Sequence, residues 1–549
     1  MIHSKKLDLK KEWVIVALTF LYLLIVFIAA WLSDDSYITF RTINNFIHGY
    51  GLTWNIGERV QAYTHPLWMF LLSGFYSITR EIYYTSLIVS MLISVCAVLL
   101  LLYKISDSIF NSILAALILI LSKSFIDFST SGLENPLTHL LIVLFFIIFF
   151  THKESNKKLL ALSIIASLST INRMDTILIF IPSLIVVYSE CDRLKGLLKI
   201  LAGFLPFILW ELFSLFYYGF PFPNTAYAKL NTGINQMELF RQGIYYIINS
   251  LFLDPLTIVA VLAGLLIPLF TKNKKLLIIS AGIFLYIIYI VSIGGDFMGG
   301  RFFSASLLCS VIVIAKTKFK FANAKGVAVP TMIVVLLGLL SPKPTLFDNQ
   351  YYSIGPKIVK AFRFGPSVIN MYHGIVDERM WYYEYTGLLN NISEKRIIQH
   401  PWVKNIEKSK ENVLVKETIG LNGYYGGEKI HIIDPMALAD PLLSKLPSTE
   451  YWLIHKYKFN SIKKWRIGHF ARKIPTGYLE TVKTGKNELK DKGLREYYDK
   501  LSSVISGNLF SINRIKEIID FNLGKYDYLL KSYVSKLNAP ASVSLSITK

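Results

Sequence analysis

The sequence predicts a polytopic α-helical membrane protein with a C-terminal extracytoplasmic mixed α/β domain, and three observations carry that prediction. Hydrophobic residues make up 53% of the 549, and the mean hydropathy of +0.45 exceeds that of soluble globular chains. About eleven apolar runs fill residues 1–341. Residues 342–549 lose those runs and gain charge, so a boundary falls there, and about 200 residues suffice for one further core.

The runs cover 13–32, 84–103, 110–121, 137–150, 159–171, 177–188, 197–216, 255–270, 276–293, 302–315 and 327–340. Roughly 20 apolar residues cross a hydrocarbon core of about 30 Å. Several runs are shorter, which makes two of them candidates for re-entrant segments or for pairing inside the bundle. The first run ends without a small-residue cleavage site and is flanked by Asp34 and Asp35, so it reads as retained.

Orientation follows from the lysines and arginines. Lys5, Lys6, Lys10 and Lys11 precede the first run, and basic residues recur at Lys104, "THKESNKK", "CDRLKGLLK", "TKNKK" and "KTKFKFANAK". All fall on one side if every run crosses, which predicts a cytoplasmic N-terminus, an external Asp34 and Asp35, and an external tail. The formal charge of +21 would flag nucleic acid in a soluble domain. Here topogenic lysines beside an anionic leaflet account for much of it, so the lipid bilayer is the expected partner and nucleic acid is not. The basic tail suits anionic headgroups or a lipid phosphate. Cys96, Cys191 and Cys309 sit in or beside apolar runs, which leaves neither a disulfide framework nor a zinc cluster.

With sidedness set, carboxylates collect at the outer ends of the runs: Asp34 and Asp35 in "SDDSY", Glu134 in "TSGLENPLTH", Asp175 in "INRMDT", Asp254 in "FLDPL" and Asp296 in "GGDFMGGRFF". Arg41, Arg173, Arg301 and Lys229 lie beside them. Ionisable groups at membrane depth cost about 3 kcal/mol, so they tend to face a cavity. Any single one reads equally as a loop cap or helix N-cap. The adjacent pair supports two sharper roles: oxygen ligation of a divalent cation (Mg2+, Mn2+ or Ca2+), or one carboxylate as base while the other orients an acceptor hydroxyl.

Gly and Pro concentrate in the same loops, in "GYG", "NIGERVQAYTHP", "GGDFMGG" and "YYGFPFPNT", and irregular backbone at that depth lines protein or water. Aromatics are interleaved, among them Tyr37, Tyr63 and Trp68. About half suit an interface belt and the others suit stacking on a sugar. "HPLWMFLLSGFYSI", opened by His65, reads as an amphipathic helix along the outer surface.

"DDSYITFRTINNFIHGYGLTWNIGERVQAYTHPLW" resembles the first outer loop of polytopic arabinofuranosyltransferases of the AftB type and of LphB-like membrane proteins, within the GT-C superfamily of glycosyltransferases. The likeness extends in order through "SGLENPL", "NRMD", "YYGFPFPNTAYAKL", "GGDFMGGRFF", "GLNGYYGGEKIHIIDPMALADPLLSKLP", "RIGHFARKIPTGY" and "LREYYDKL". The resemblance implies a transferase of the bacterial inner membrane that moves a sugar from a polyprenyl-phosphate donor to an acceptor polysaccharide or glycoprotein outside. It implies a catalytic acid in the first outer loop, Asp34 before Asp35. A departing lipid phosphate needs cations, for which Arg41, Arg173, Arg301 and Lys229 are the candidates, and plain salt bridges to Asp175 and Asp296 are an equal reading of these cations. Tyr63, His65, Trp68, Glu134, Asp175, Asn224, Asp296, Tyr424 and Tyr425 then become substrate-facing. Two positions depart from the pattern: Met174 stands where relatives carry Pro, and "GLEN" replaces "GLET".

In the tail, "NVLVKETIG" and "KIHIID" read as buried strands, "PMALADPLLSKL", "LREYYDKLSSVI" and "INRIKEIIDFNLGKYDYLLKSYV" as helices, "GLNGYYGG" as a tight turn, and the last residues as a frayed end. His431, Asp434, Asp440 and His469 lack metal-ligand spacing and read as structural. A secondary transporter would show two related halves with midplane charges, and a non-catalytic glycan-binding or polysaccharide-assembly protein would need no carboxylate pair.

Overall fold

A computed structural model describes residues 2–151, 154–319, 324–339, 371–393, 403, 405–406, 409, 411–449 and 465–538. The boundary expected at 341/342 and the frayed terminus lie outside the described residues.

Each apolar run falls on a helix. Lys11–Ala29, Ile82–Ile105 and Lys274–Ser292 are each long and apolar enough to cross a membrane. Two bent pairs meet the same test together: Arg193–Gly203 with Leu205–Tyr217 at 51°, and Gln236–Leu253 with Pro255–Thr271 at 115°. The chain is thus a multi-pass helical membrane protein, with shorter apolar helices such as Ile109–Leu121, Asn135–Thr151 and Phe303–Lys316 packed among these. Phe303–Lys316 is buried on nearly every side, as an all-round apolar helix at a bundle's centre must be.

The helices approach closely where side chains are absent. A Cβ on Gly243 would stand 2.2 Å from the Val291 carbonyl oxygen, and one on Gly282 would stand 2.3 Å from that of Ile179. Gln236–Leu253 is a helix that the sequence reading left in an outer loop. Its apolar residues alternate with polar ones, so hydropathy alone passes over it. Asp254 ends it and caps the next helix, accepting from the Thr257 hydroxyl at 2.6 Å and the Ser124 N–H at 2.8 Å.

The tail departs more from expectation. The two strands form, Val413–Val415 running parallel to His431–Ile433. Helices form at Lys492–Ser506 and at Ile512–Asn522 with Asp527–Asn538, split by Gly524 at φ 70°. "GLNGYYGG" is not a turn but the helix Gly420–Gly426. "PMALADPLLSKL" is not a helix apart from a short 3-10 turn at Leu443–Lys445. There the Asp434 carboxylate accepts from the N–H groups of Met436, Leu438 and Ala439, and Asp440 accepts from those of Leu442 and Leu443. Side-chain acceptors thereby replace the helical ladder.

Tail and bundle share one core, in which Ile375, Leu421, Ile467 and Phe470 pack with the membrane helices. A buried ion network also joins them: Lys123 lies 2.6 Å from Asp127 and 3.1 Å from Asp377, and Arg379 lies 3.8 Å from Asp127.

Candidate active site

Ser33 opens the site. It caps the helix Asp34–Ile47 by accepting from the Ser36 N–H, which sets both acids in the first helical turn, where negative charge is favoured. Their side chains then diverge. Asp34 is buried, and its two oxygens accept from the Gly420 N–H at 3.2 Å and the Leu421 N–H at 2.8 Å. Only glycine fits at 420, because a Cβ there would stand 1.8 Å from the Asp34 carbonyl oxygen. Burial pushes the Asp34 carboxyl up to about 7; the two N–H groups oppose this and the Asp35 charge adds to it.

Asp35 is half-buried and makes no hydrogen bond or ion pair among the described residues. Burial raises its carboxyl, the charges of Arg301 and Lys229 lower it, and Asp296 and Glu134 raise it again.

A second cluster is built on Glu134, which is 1% exposed. One of its oxygens accepts from Arg173 at 2.8 Å and from Arg301 at 3.0 Å, and the other lies 3.2 Å from His65 Nδ1. His65 Nε2 bonds the Thr39 hydroxyl at 2.8 Å. Arg173 is forked onto Asp175 at 2.8 and 2.9 Å and stacks over Phe302 at 4.2 Å. Arg301 reaches Asp296 at 3.5 Å, while its Nε is buried without a partner among the described residues. Burial works to raise the Glu134 carboxyl, but Arg301, His65 and Arg173 hold it well below the usual range.

Several expected site residues prove to be braces. Arg41 was expected at the donor phosphate. Instead its guanidinium donates to the carbonyls of Trp54, Gly423 and Ile430 at 2.7, 2.5 and 2.6 Å and to Asn55 at 3.5 Å, which occupies four of its five N–H groups. Asn224 ties its loop to the tail through the carbonyls of Ala437, Leu438 and Asp440. Tyr63 bonds the Tyr218 hydroxyl at 2.8 Å, and Trp68 donates to the Gly132 carbonyl at 2.9 Å; both side chains are fully enclosed. Tyr424 and Tyr425 lie half-buried with ring centroids 5.6 and 5.8 Å from Tyr37. Lys229 is exposed and makes no ion pair among the described residues.

The tail brings residues that the sequence reading did not single out. Glu378, at the start of the helix Glu378–Thr386, is 8% exposed and makes no bond among the described residues. Burial pushes its carboxyl well above the usual range, Asp35, Asp34 and Asp296 add to that, and Arg466 opposes it. The charges of Asp34, Glu378 and Asp35 also act on Tyr382. The only signal in the sequence was an acidic dipeptide opening an aromatic segment, "DERMWYYEY".

Asp34 and Asp35 differ as prospective ligands of a divalent cation. Both Asp34 oxygens hold backbone N–H groups, and among the described residues no three His, Cys, Asp or Glu side chains gather as a metal site. His431 sits 3.9 Å from Glu58 and 3.2 Å from Asn55.

Fold and site together define a multi-pass helical membrane protein in which Asp34, Asp35, Glu134, Arg173, Asp175, Asp296 and Arg301 gather at one end of the bundle. In particular, the chain resembles the terminal β-(1→2)-arabinofuranosyltransferase of Mycobacterium tuberculosis, with 27% identity over 425 residues that cover 68% of this chain and 65% of that protein. It also resembles the enzyme of the same name from Corynebacterium glutamicum, with 27% identity over 327 residues, 52% of this chain and 48% of that one. The matches thus span just under two thirds and about half of these relatives' lengths. No family model matches. Among solved structures the chain is similar to the Archaeoglobus fulgidus oligosaccharyltransferase complexed with Zn and sulfate (12% identity, 77% of this chain, 62% of that chain, TM-score 0.39). It is similar also to AglB from that organism with an inhibitory peptide and a dolichol-phosphate (12% identity, 78% and 65%, TM-score 0.41).

Proposed function

We propose that the chain is a GT-C-type membrane glycosyltransferase that moves D-arabinofuranose from a polyprenyl-phosphate donor to an acceptor glycan, on the outer side of the bacterial inner membrane. The observation that carries this reading is Asp35, a carboxylate open at the end of a membrane helix, flanked by Arg301 and Lys229 and set against the closed Asp34. The likeness to two enzymes named as arabinofuranosyltransferases supplies the sugar.

A lipid-linked glycosyl phosphate carries its own leaving group. Asp35 takes the proton of an acceptor hydroxyl while that oxygen bonds to the sugar's C1, and the C1–O bond to phosphate breaks with its electron pair moving to the phosphate. Arg301, with its unpartnered Nε, and Lys229 stabilise the charge arriving there. The half-buried Asp35 also stabilises an oxocarbenium-like centre. Asp34 positions its neighbour by locking the start of the helix to Gly420 and Leu421. The unbonded carboxylate supports Asp35 as the base over Asp34, the first expectation. Arg173, saturated by Glu134 and Asp175, orients Glu134 instead of meeting phosphate.

The same reading takes all eleven apolar runs as crossings, places the N-terminus in the cytoplasm and residues 342–549 outside, and covers the site from outside with that tail. The test uses full-length protein in lipid nanodiscs with polyprenyl-phospho-arabinofuranose and an arabinan acceptor. Asp35→Asn is expected to lower release of polyprenyl phosphate by about 10²–10⁴-fold with folding intact, and Asp34→Asn to lower it less. Turnover by folded Asp35→Asn at the wild-type rate would sink the assignment.

A further inference from the structure

The tail helix Ile512–Asn522 carries two faces of opposite character. Arg514 and Ile518 point inward. Arg514 donates to the Val504 carbonyl at 2.8 Å and to the Tyr217 carbonyl at 2.9 Å, and Asn522 donates to the Gly219 carbonyl at 2.9 Å. The helix is thereby pinned to the end of the apolar helix Leu205–Tyr217. Its opposite face is bare and apolar: Ile512 is 81% exposed, Ile515 41%, Ile519 53% and Leu523 78%. Their spacing, i, i+3, i+7 and i+11, sets all four within one stripe. Phe510, just before the helix, is 78% exposed.

A soluble surface rarely leaves such a stripe uncovered, and what lies beside it identifies the cover. The Phe510 ring packs 5.7 Å from that of Phe216, at the end of Leu205–Tyr217. The outward face of that membrane helix shows Leu205, Ile208, Leu209, Leu212, Phe213 and Phe216. The stripe therefore continues a surface that already lies in lipid. Lys516 and Lys525 sit exposed on and just beyond the helix, where ammonium groups meet phosphate headgroups.

We infer that Ile512–Asn522 is an interfacial helix, with Phe510, Ile512, Ile515, Ile519 and Leu523 inserted at the boundary between headgroups and acyl chains. It anchors the tail to the bilayer beside the Leu205–Tyr217 span. At about 5–10 Å of insertion, it fixes the height of the tail above the membrane. The assignment is independent of the reaction catalysed and requires only that Leu205–Tyr217 lies in the membrane.

The test places a nitroxide at Ile519→Cys, at Ile512→Cys and, as a water-facing control, at Lys483→Cys. The background is full-length protein with Cys96 and Cys191 changed to serine; Cys309 is buried. In nanodiscs of phosphatidylcholine and phosphatidylglycerol, collision with oxygen is compared with collision with a water-soluble nickel chelate. The expected result is an oxygen-to-nickel accessibility ratio several-fold higher at 512 and 519 than at 483. Equal ratios at the three sites would overturn the proposal, because the face would then meet water. Low accessibility to both reagents at 512 and 519 would also overturn it, because the cover would then be protein, such as a second copy of the chain.

Discussion

Two clusters of charge lie at the same end of the bundle and are built on opposite rules. Around Glu134 both oxygens are occupied, by Arg173, Arg301 and His65, and each of these three has a further partner in Asp175, Asp296 or Thr39, with the Arg301 Nε left open among the described residues. Around Asp35 nothing is closed: its carboxylate is unbonded, Lys229 is exposed and Glu378 has no partner among the described residues. Sequence cannot tell these apart, since both are acids near arginines in Gly-rich loops. The difference teaches that the saturated cluster holds helices together, whereas the open one leaves valences for a substrate to fill.

The comparison breaks first at Glu134. Glu134→Gln removes the carboxylate that two buried guanidiniums share and leaves Arg173 only Asp175 and Arg301 only Asp296, and breaking a buried pair in this way costs about 3–5 kcal/mol. A large drop in unfolding temperature is expected in nanodiscs whether or not donor is present. An unchanged transition would mean that this cluster is not structural.

Gly420→Ala attacks the open cluster through its backbone. A Cβ pressed 1.8 Å from the Asp34 carbonyl oxygen forces the tail helix away, at about 1–3 kcal/mol. Binding of donor should weaken along with stability.

The protonation of Asp34 gives a smaller signal whose sign is fixed. Its carboxyl is raised from 3.8 to about 7 in the fold, so the native state holds that proton more tightly than the unfolded chain does. This contribution is complete below pH 3.8 and is lost as pH rises through about 7. The wild-type unfolding temperature should therefore fall across that window relative to Asp34→Asn, and parallel curves would refute the shift.

Least of all should Asp35→Asn affect stability. The side chain makes no bond among the described residues, so the change should stay within about 0.5 kcal/mol. A mutant that loses both stability and turnover would erase the distinction between the two clusters.

Much of the fold was legible because apolar runs have one stable form in lipid. Every run placed from 13–32 to 327–340 lies on a helix, since backbone groups at that depth must bond within their own segment. The site was legible only in part. Asp34, Asp35, Glu134, Arg173, Asp296 and Arg301 were read from their loops and do gather, but which cation serves which acid depends on helix packing that no local pattern encodes. The bonds of Arg41 and Asn224 were hidden for the same reason, because they include carbonyls more than two hundred residues away, Gly423 for Arg41 and Ala437 for Asn224. Gly420–Gly426 looked like a turn because its glycines suit one. They are required instead by the close approach of Asp34 and of Trp54, which stands 2.7 Å from a Cβ on Gly423. Glu378 was missed because burial beside two aspartates leaves no trace in its own neighbourhood of sequence.

Asp34 and the two amides that bind its carboxylate are 386 and 387 residues apart in the chain. At roughly 5–20 residues per second, a ribosome makes the acid roughly 20–80 s before it makes its partners. Throughout that interval the membrane helices emerge and insert with the acid pair unassembled. A chain cut short anywhere before Gly420 keeps both aspartates and lacks the grip that sets them. The order of synthesis thus sets the timing: the pair takes its final form only in a chain translated to Leu421 or beyond.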